Sequence, residues 1–431
     1  MAEDRIALLL RAEIPGVRAR LIGALRDFDR AEDALQDALE RAWERWPQDG
    51  VPDRPAAWLY RVAERRAFDA LRHDDVVQRH TTLLGSDAGI APTPEDLLAR
   101  ADFDDDLLRL IFTCCHPLLR PDARAALTLR TVLDLSQDEV ARAFLVEPRT
   151  LEQRLVRAKR RLREAGMEWL VPSGAELDAR LDDVLRVAYL IFTEGYSATA
   201  GERLTRPDLC ALAIVLMRRL NRMLRGRAEA LGLLALMLLQ DSRSANRTDP
   251  AGHPVLLDDQ DRSRWDGAKI REGSVLLEKA LHLRQAPGPY QIQAAIAALH
   301  ANATSAGATD WDQITALYDA LLKVDDTPVI RLNRAVAIAM ARGAAAGMAE
   351  LDRLKSITTL QGYHPYHAAR GALLWRLQRR GDAVRCYRTA LGLVRNAAEA
   401  AFLRRRIAQL EAGEVFTAAA APGGPETPQS Y

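Results

Sequence analysis

The sequence predicts an all-α protein built from several helical parts, and three observations carry that prediction. Ala, Leu and Arg dominate the composition while Val, Ile and Thr are sparse, which favours helix over sheet. In segment after segment apolar residues recur with the 3.6-residue spacing that gives a helix one buried face. The last third contains a helix–break–helix unit that can be laid over itself at a period near 34 residues. At 431 residues the chain is too long for one small domain, and two or three are expected.

Composition also excludes function classes. The net charge is +1, so any nucleic-acid site must come from local clustering of basic residues. Four cysteines, Cys114, Cys115, Cys210 and Cys386, match no zinc spacing and no CxxC pattern. One local set, Cys114, Cys115 and His116, offers too few ligands for a closed site, so no metal and no cofactor is expected. The start of the chain carries Glu3 and Asp4 without a long apolar run, and the most apolar window, Ala230 to Leu239, is too short to span a bilayer. A reduced, cytoplasmic protein without membrane contact is the expectation.

The first part is placed at 5–72. DFDRAEDALQDALERAWERWPQDG reads as a helix with Leu35, Ala38, Leu39, Ala42, Trp43 and Trp46 on its inner side. Asp29 is the expected N-cap and Pro47 the expected stop. The outer face is acidic: Glu32, Asp33, Asp37, Glu40 and Glu44. A second helix starts near Pro55, at the first-turn position proline favours. Leu59, Val62, Ala63, Ala67, Ala70 and Leu71 form its inner face. Trp58, Tyr60, Arg61, Arg65, Arg66, Phe68 and Arg72 remain as a mixed aromatic and basic set.

Residues 73–103 read as a linker, rich in Gly, Ser, Pro and Asp and poor in periodicity. A helix-turn-helix part follows at 104–167. Gln137 to Phe144 is a short amphipathic helix with Val140, Ala141 and Phe144 inward. After a tight turn comes a basic helix whose apolar seam is Leu151, Leu155, Ala158 and Leu162, at i, i+4, i+7 and i+11. Arg149, Arg154, Arg157, Lys159, Arg160, Arg161 and Arg163 surround that seam against one acid, Glu152. Helix, turn and basic helix form the architecture that sets a recognition helix into a DNA major groove.

From 174 to 411 the chain reads as helices separated by short breaks. TPVIRLNRAVAIAMARGAAAGMAELDRL and HPYHAARGALLWRLQRRGDAVRCYRTALGL each give helix, break at Gly343 or Gly381, then helix. Ala335, Ala339, Ala369, Ala383 and Ala390 mark expected close approaches of paired helices. The pattern resembles tetratricopeptide repeats, although Trp and Pro do not occupy every consensus position. Residues 412–431, rich in Ala, Pro, Gly, Glu and Thr, read as a disordered tail.

These motifs, in this order, resemble an extracytoplasmic-function sigma factor, the minimal bacterial RNA polymerase sigma subunit with only regions 2 and 4. DFDRAEDALQDALERAW resembles region 2.1 to 2.2, and WLYRVAERRAFDALR resembles region 2.3 to 2.4. DEVARAFLVEPRTLEQRLVRAKRRLR resembles region 4.2. The C-terminal part is similar to the extension of one group of these factors, with TEGYSATAGERLTRPDLC and LLDDQDRSRW as group-like signatures. Two positions depart from the family: Leu145 stands where a turn glycine is usual, and Glu64 where Asn is frequent, so Glu64 is expected to point away from DNA.

The resemblance implies the partners and the roles. Core RNA polymerase and promoter DNA are the expected partners. Arg149, Thr150, Gln153, Arg154 and Arg157 would read the −35 element as duplex, Gln suiting adenine and Arg guanine. Trp58, Tyr60, Arg61, Arg65, Arg66 and Phe68 would hold the melted −10 strand by stacking and cation–π contact. The competing reading leaves Trp58 and Phe68 in the core. Asp33, Gln36, Asp37 and Glu40 would dock on polymerase, unless that face is merely solvated. Asp258, Asp259, Asp261, Arg262, Arg264 and Trp265 are candidates for a regulatory contact of the C-terminal domain with the sigma domains; a hydrogen-bonded loop between repeats is the alternative. That domain would bind a protein partner or the sigma domains themselves, to inhibit or to activate.

Other functions fit less of the chain. A helix-turn-helix regulator with a repeat sensor and no polymerase role leaves the region 2 pattern unexplained. An enzyme is not expected: His253, His282, His300, His364 and His367 come without a phosphate loop, nucleophile elbow or metal motif. A pure repeat scaffold does not account for the basic helix.

Overall fold

A computed structural model describes residues 2–79, 103–144, 146–167, 169–250 and 252–413. Most of the predicted linker, the turn residue Leu145 and nearly all of the predicted tail lie outside the described residues. The fold is all-α. The described residues form nineteen α-helices and four short 3₁₀ turns, and they contain no strand beyond two isolated bridges. The chain divides into two compact units, Met1–Val187 and Ala188–Tyr431.

The first unit begins with α1 (Ala2–Leu25), α2 (Phe28–Asp49) and α3 (Pro55–Arg79). Helix α1 presents Leu10, Ile14, Val17, Leu21 and Ile22 to the core and packs against both α2 and α3. The N-cap of α2 is Asp27, not Asp29: its carboxylate accepts from the backbone N–H groups of Asp29 and Arg30 at 2.9 and 3.2 Å. The cap falls two residues earlier than predicted because Phe28 and Ala31 already belong to the buried face. Pro47 does not stop α2. The helix continues to Asp49 and ends at Gly50, whose φ of +86° is open to glycine without strain. Trp43, expected inside, is 43% exposed, whereas Leu35, Ala38, Ala42 and Trp46 are buried as predicted. Pro55 opens α3, which runs past the predicted boundary at 72 to Arg79.

Four further helices follow in this unit: α4 (Phe103–Cys114), α5 (Pro121–Thr131), α6 (Gln137–Ala143) and α7 (Pro148–Glu164). Helix α4 packs on α1, while α5 and α6 both pack on α7. The next helix, α8 (Gly174–Tyr196), contains the division between the units. Its first half belongs with the preceding helices, so the predicted boundary near 174 falls too early. Arg180 Nη2 donates to the Phe112 carbonyl at 3.0 Å, and Arg124 pairs with Asp183 at 2.5 Å.

The second unit continues through α9 (Pro207–Met223), α10 (Ala228–Asp241), α11 (Gly267–His282), α12 (Pro289–Asn302) and α13 (Trp311–Val324). It ends with α14 (Pro328–Arg342), α15 (Ala344–Arg353), the short α16 (Thr358–Gln361), α17 (His364–Arg376), α18 (Arg380–Leu393) and α19 (Ala397–Glu411). The repeated unit appears as the pairs α14–α15 and α17–α18. Ala335, Ala339, Ala369, Ala383 and Ala390 are all buried where these helices meet. A side chain at Gly347 would collide with the Ala339 methyl and the Ala335 carbonyl, so only glycine lets α15 lie that close to α14. The first break is at Gly343, φ +94°, as expected. The second is not at Gly381, which lies inside α18; Gln378 takes the left-handed conformation instead, with φ of +59°.

Candidate nucleic-acid interface

The helix-turn-helix starts from a capping box. The Ser136 hydroxyl accepts from the Glu139 N–H at 3.2 Å, and the Glu139 carboxylate accepts from the Ser136 N–H at 2.8 Å. Val140 and Ala141 of α6 are buried, and Phe144 just beyond it is partly so. Pro148 then opens α7 at a position where its missing N–H costs nothing. The buried residues of α7 are Leu151, Leu155, Ala158 and Leu162, the whole predicted seam.

Seating that seam turns Arg149, Thr150, Gln153 and Arg157 outward, and all four are exposed. Arg157 Nη2 donates to Gln153 Oε1 at 3.2 Å, one turn away on the same face. Arg154 differs from these four. It is half-buried and pairs with Asp122 of α5 at 3.2 Å. The C-terminal part of α7 is engaged elsewhere: Lys159 pairs with Asp29 at 2.6 Å, and Arg163 with Asp27 at 3.1 Å. A cavity of about 340 Å³ between α5 and α7 is lined by Arg120, Arg154, Arg157, Arg160 and Arg161. Arg120 was not foreseen, because it belongs to the loop before α5 and carries no periodic signal. Exposed Val156 was not foreseen either.

The aromatic set of α3 splits three ways. Phe68 is 47% exposed. Trp58 is half-buried and meets Trp46 edge-on, with ring centroids 5.5 Å apart. Tyr60, expected on the DNA face, is 3% exposed, with the Arg20 guanidinium 5.0 Å from its ring. Its hydroxyl donates to Glu64 Oε1 at 2.8 Å, and burial together with that carboxylate pushes its pKa well up. Tyr60 is therefore a core residue in this structure, and Glu64 is turned along the helix towards it. Arg61 and Arg65 are exposed, whereas Arg66 lies 3.4 Å from Asp37 of α2. On α2 itself Asp33, Gln36 and Glu40 are exposed and Asp37 is half-buried; Gln36 Nε2 donates to Glu40 at 3.3 Å.

A buried ion network, absent from the sequence reading, joins α1, α2 and α5. Arg18 is 3% exposed. It donates to Glu32 at 2.8 Å, to Asp134 at 2.5 Å and to the Thr131 carbonyl at 3.3 Å. Arg130 adds a second contact to Glu32 at 3.0 Å. Burial alone would raise the Glu32 carboxyl, but Arg18 and Arg130 outweigh it and hold it below the usual range. Cys114 and Cys115 are buried beside threonines, Thr131 and Thr128, and burial pushes the Cys115 thiol up to about 12. Neither is a ready metal ligand, and no metal-binding cluster occurs among the described residues.

The loop proposed as a regulatory contact folds into the second unit as two 3₁₀ turns. Arg262 donates to the His300 and Ala303 carbonyls at 2.7 and 2.9 Å and to the Thr309 hydroxyl at 3.2 Å. Trp265 is buried, 5.0 Å below the Arg262 guanidinium. Burial raises the Asp258 carboxyl despite nearby Arg376. Asp261 caps the second turn through the Ser263 N–H, and Arg264 is exposed. These contacts hold the loop to the end of α12 and the turn after it.

Comparison with known proteins covers most of the chain. The family described as sigma-70 region 2 matches residues 9–76, and sigma-70 region 4 matches residues 109–162. Residues 180–281 match a family of unknown function, DUF6596. An uncharacterized protein of Rhizobium meliloti (strain 1021) is 41% identical over 413 residues, which cover 94% of this chain and 96% of that protein. No solved structure matches. Among the described residues no helix is long and apolar enough to cross a membrane.

Proposed function

Because this chain belongs to the sigma-70 family and is a sigma factor that directs promoter recognition, we propose that it is of the extracytoplasmic-function type, acts in the cytoplasm without catalysis of its own, and divides promoter reading between α7 and α3. In this reading Arg149, Thr150, Gln153 and Arg157 meet base edges of the −35 duplex, while Arg120, Arg160 and Arg161 hold phosphates. Arg154 positions α7 through Asp122. The observation that carries the reading is the exposed face of α7: with the seam buried, Arg149, Thr150, Gln153 and Arg157 all point to solvent.

In the same proposal the −10 strand, once melted, stacks on Phe68 and the open edge of Trp58, with Arg61 and Arg65 along its backbone. Asp33, Gln36, Asp37 and Glu40 face core polymerase. The −35 and −10 elements lie roughly 85 Å apart at about 3.4 Å per base pair. In this reading the Arg18–Glu32–Asp134 network, which ties α1 and α2 to the segment at the end of α5, opens when both elements are read at once. The C-terminal unit regulates this opening.

Run-off transcription tests the proposal. Purified protein and bacterial core polymerase are given a promoter library, with the full chain compared against residues 1–187. Specific transcripts that need both components are expected, and the shortened chain should give a changed yield. Binding to duplex DNA without any polymerase-dependent transcript from either chain would favour a helix-turn-helix regulator instead.

A further inference from the structure

The start of α5 and one flank of α7 enclose the cavity of about 340 Å³, which lies within the range of small-molecule sites. Leu119, Ala123 and Ala158 give it an apolar floor, and all three are buried. The two alanines leave open a space that longer side chains would fill. Five guanidiniums surround it, those of Arg120, Arg154, Arg157, Arg160 and Arg161. Among the described residues no acidic side chain lines it.

Nearby carboxylates cancel only part of this charge. Asp122 serves both Arg120 and Arg154, at 3.3 and 3.2 Å, and also accepts from the Ala123 N–H at 2.9 Å. Glu164 lies 3.6 Å from Arg160. Arg157 donates to the neutral amide of Gln153. Arg161 is exposed and has no side-chain partner among the described residues. Asp122 and Glu164 thus offset two of the five guanidiniums and leave three positive charges. Arg120 is also the cap residue of α5 and makes no side-chain cap there, so the positive end of that helix adds to the same field. On another side of α7, Lys159 and Arg163 are taken by Asp29 and Asp27 and do not line the cavity.

Four of the five arginines are exposed and Arg154 is half-buried. A single ion pair at such a place is weak, because water and salt screen it. A ligand gains here by reaching several guanidiniums at once, each able to take two oxygens of one phosphate. Among the described residues no aromatic ring lines the cavity, so nothing there stacks a base.

We propose that this cavity binds a short linear oligophosphate through the phosphate chain itself, held by Arg120, Arg154, Arg160 and Arg161. Arg157 borders both the cavity and the base-reading face of α7, so a bound oligophosphate competes with promoter DNA. The competition rests on the sigma-factor reading, whereas the binding stands on the cavity and its cations.

Calorimetric titration of the full chain with tripolyphosphate tests the binding without DNA or polymerase, so its failure is distinct from failure of the sigma-factor reading. One tripolyphosphate is expected per chain, bound at least tenfold more tightly than inorganic phosphate, with GTP binding no more tightly than tripolyphosphate. Replacing Arg160 and Arg161 together by Gln should weaken tripolyphosphate at least tenfold while the circular dichroism stays native. Replacing Arg45 and Arg225 together by Gln removes the same charge from two exposed arginines outside the cavity, and should change binding less than twofold. Tripolyphosphate should also raise the holoenzyme concentration needed to bind a promoter, beyond the effect of inorganic phosphate at matched ionic strength. No binding at millimolar concentration, several equivalent sites per chain, equal weakening by the two double variants, or tighter binding of GTP would each overturn the site. Promoter binding that responds to both phosphates alike would overturn the competition.

Discussion

Helices α7 and α3 present the same problem with opposite clarity. Both carry the residues that would face nucleic acid, and both bury a leucine-and-alanine seam. On α7 the outward set is polar and cationic, and four of its five predicted DNA residues are exposed. On α3 the set includes aromatics, and the structure sends Tyr60 inward, Trp58 half-way and Phe68 outward. A guanidinium on an amphipathic helix has one cheap place to go, because burying it costs several kcal/mol unless it is paired. An aromatic ring gains from either place, so its position depends on which neighbours arrive: Arg20 and Glu64 for Tyr60, Trp46 for Trp58.

The largest expected effect is on the clear side. Replacing Arg149, Gln153 and Arg157 together by Ala removes up to three base-reading groups, each worth about 1–3 kcal/mol of discrimination. Competition binding of holoenzyme to promoters with and without a −35 element should lose its preference at least a hundredfold, with the unfolding midpoint unchanged. A retained preference would mean that α7 does not read bases.

On the ambiguous side, Phe68→Ala and Tyr60→Phe separate the two fates of an aromatic ring. Phe68→Ala should reduce open-complex formation by roughly tenfold, from a stacked base worth about 1–3 kcal/mol, and change stability by less than about 0.5 kcal/mol. Tyr60→Phe deletes the hydrogen bond to Glu64 and should cost about 1 kcal/mol of stability in urea denaturation, leaving promoter opening intact. If Tyr60→Phe impaired opening and Phe68→Ala did not, the assignment of inside and outside would be reversed.

The smallest effect concerns the network that joins the two parts. The Glu32 carboxyl is held below its unfolded value, so its stabilisation is present above about pH 4.5 and is lost as the pH falls through the folded value. Glu32 is partly exposed and solvent screens it, so the slope will be shallow. Wild-type unfolding midpoints between pH 7 and pH 3 should decline on the acid side more than those of Glu32→Gln. Identical profiles would remove Glu32 from the linkage.

What was legible in the sequence follows from the range of the interactions. The seam of α7, the start of α3 and the alanines of the paired helices are set by residues within one or two turns, and each was read correctly. The cap of α2 was misplaced because Asp27 and Asp29 are equivalent as residue types, and only the burial of Phe28 distinguishes them. Likewise Gly381 was the natural choice for a break, yet α18 begins at Arg380 and Gln378 takes the positive φ. The Arg18 network was invisible because two of its partners, Thr131 and Asp134, lie 113 and 116 residues away. For the loop at 258–265 the sequence left a regulatory contact and a hydrogen-bonded loop both open, because the partners of Arg262 are carbonyls some 40 residues on. Residues with short-range roles announce themselves, whereas those recruited by tertiary contact do not.

The most direct test is promoter opening followed by 2-aminopurine fluorescence in the −10 element, with and without core polymerase, for the wild type, Phe68→Ala and the triple α7 variant. The wild type should open the duplex only with polymerase. Phe68→Ala should bind the promoter normally and open it poorly, and the triple variant should open it only at raised concentration. Tight binding of the wild-type protein to duplex DNA alone, with no opening under any condition, would contradict the division of labour between α7 and α3.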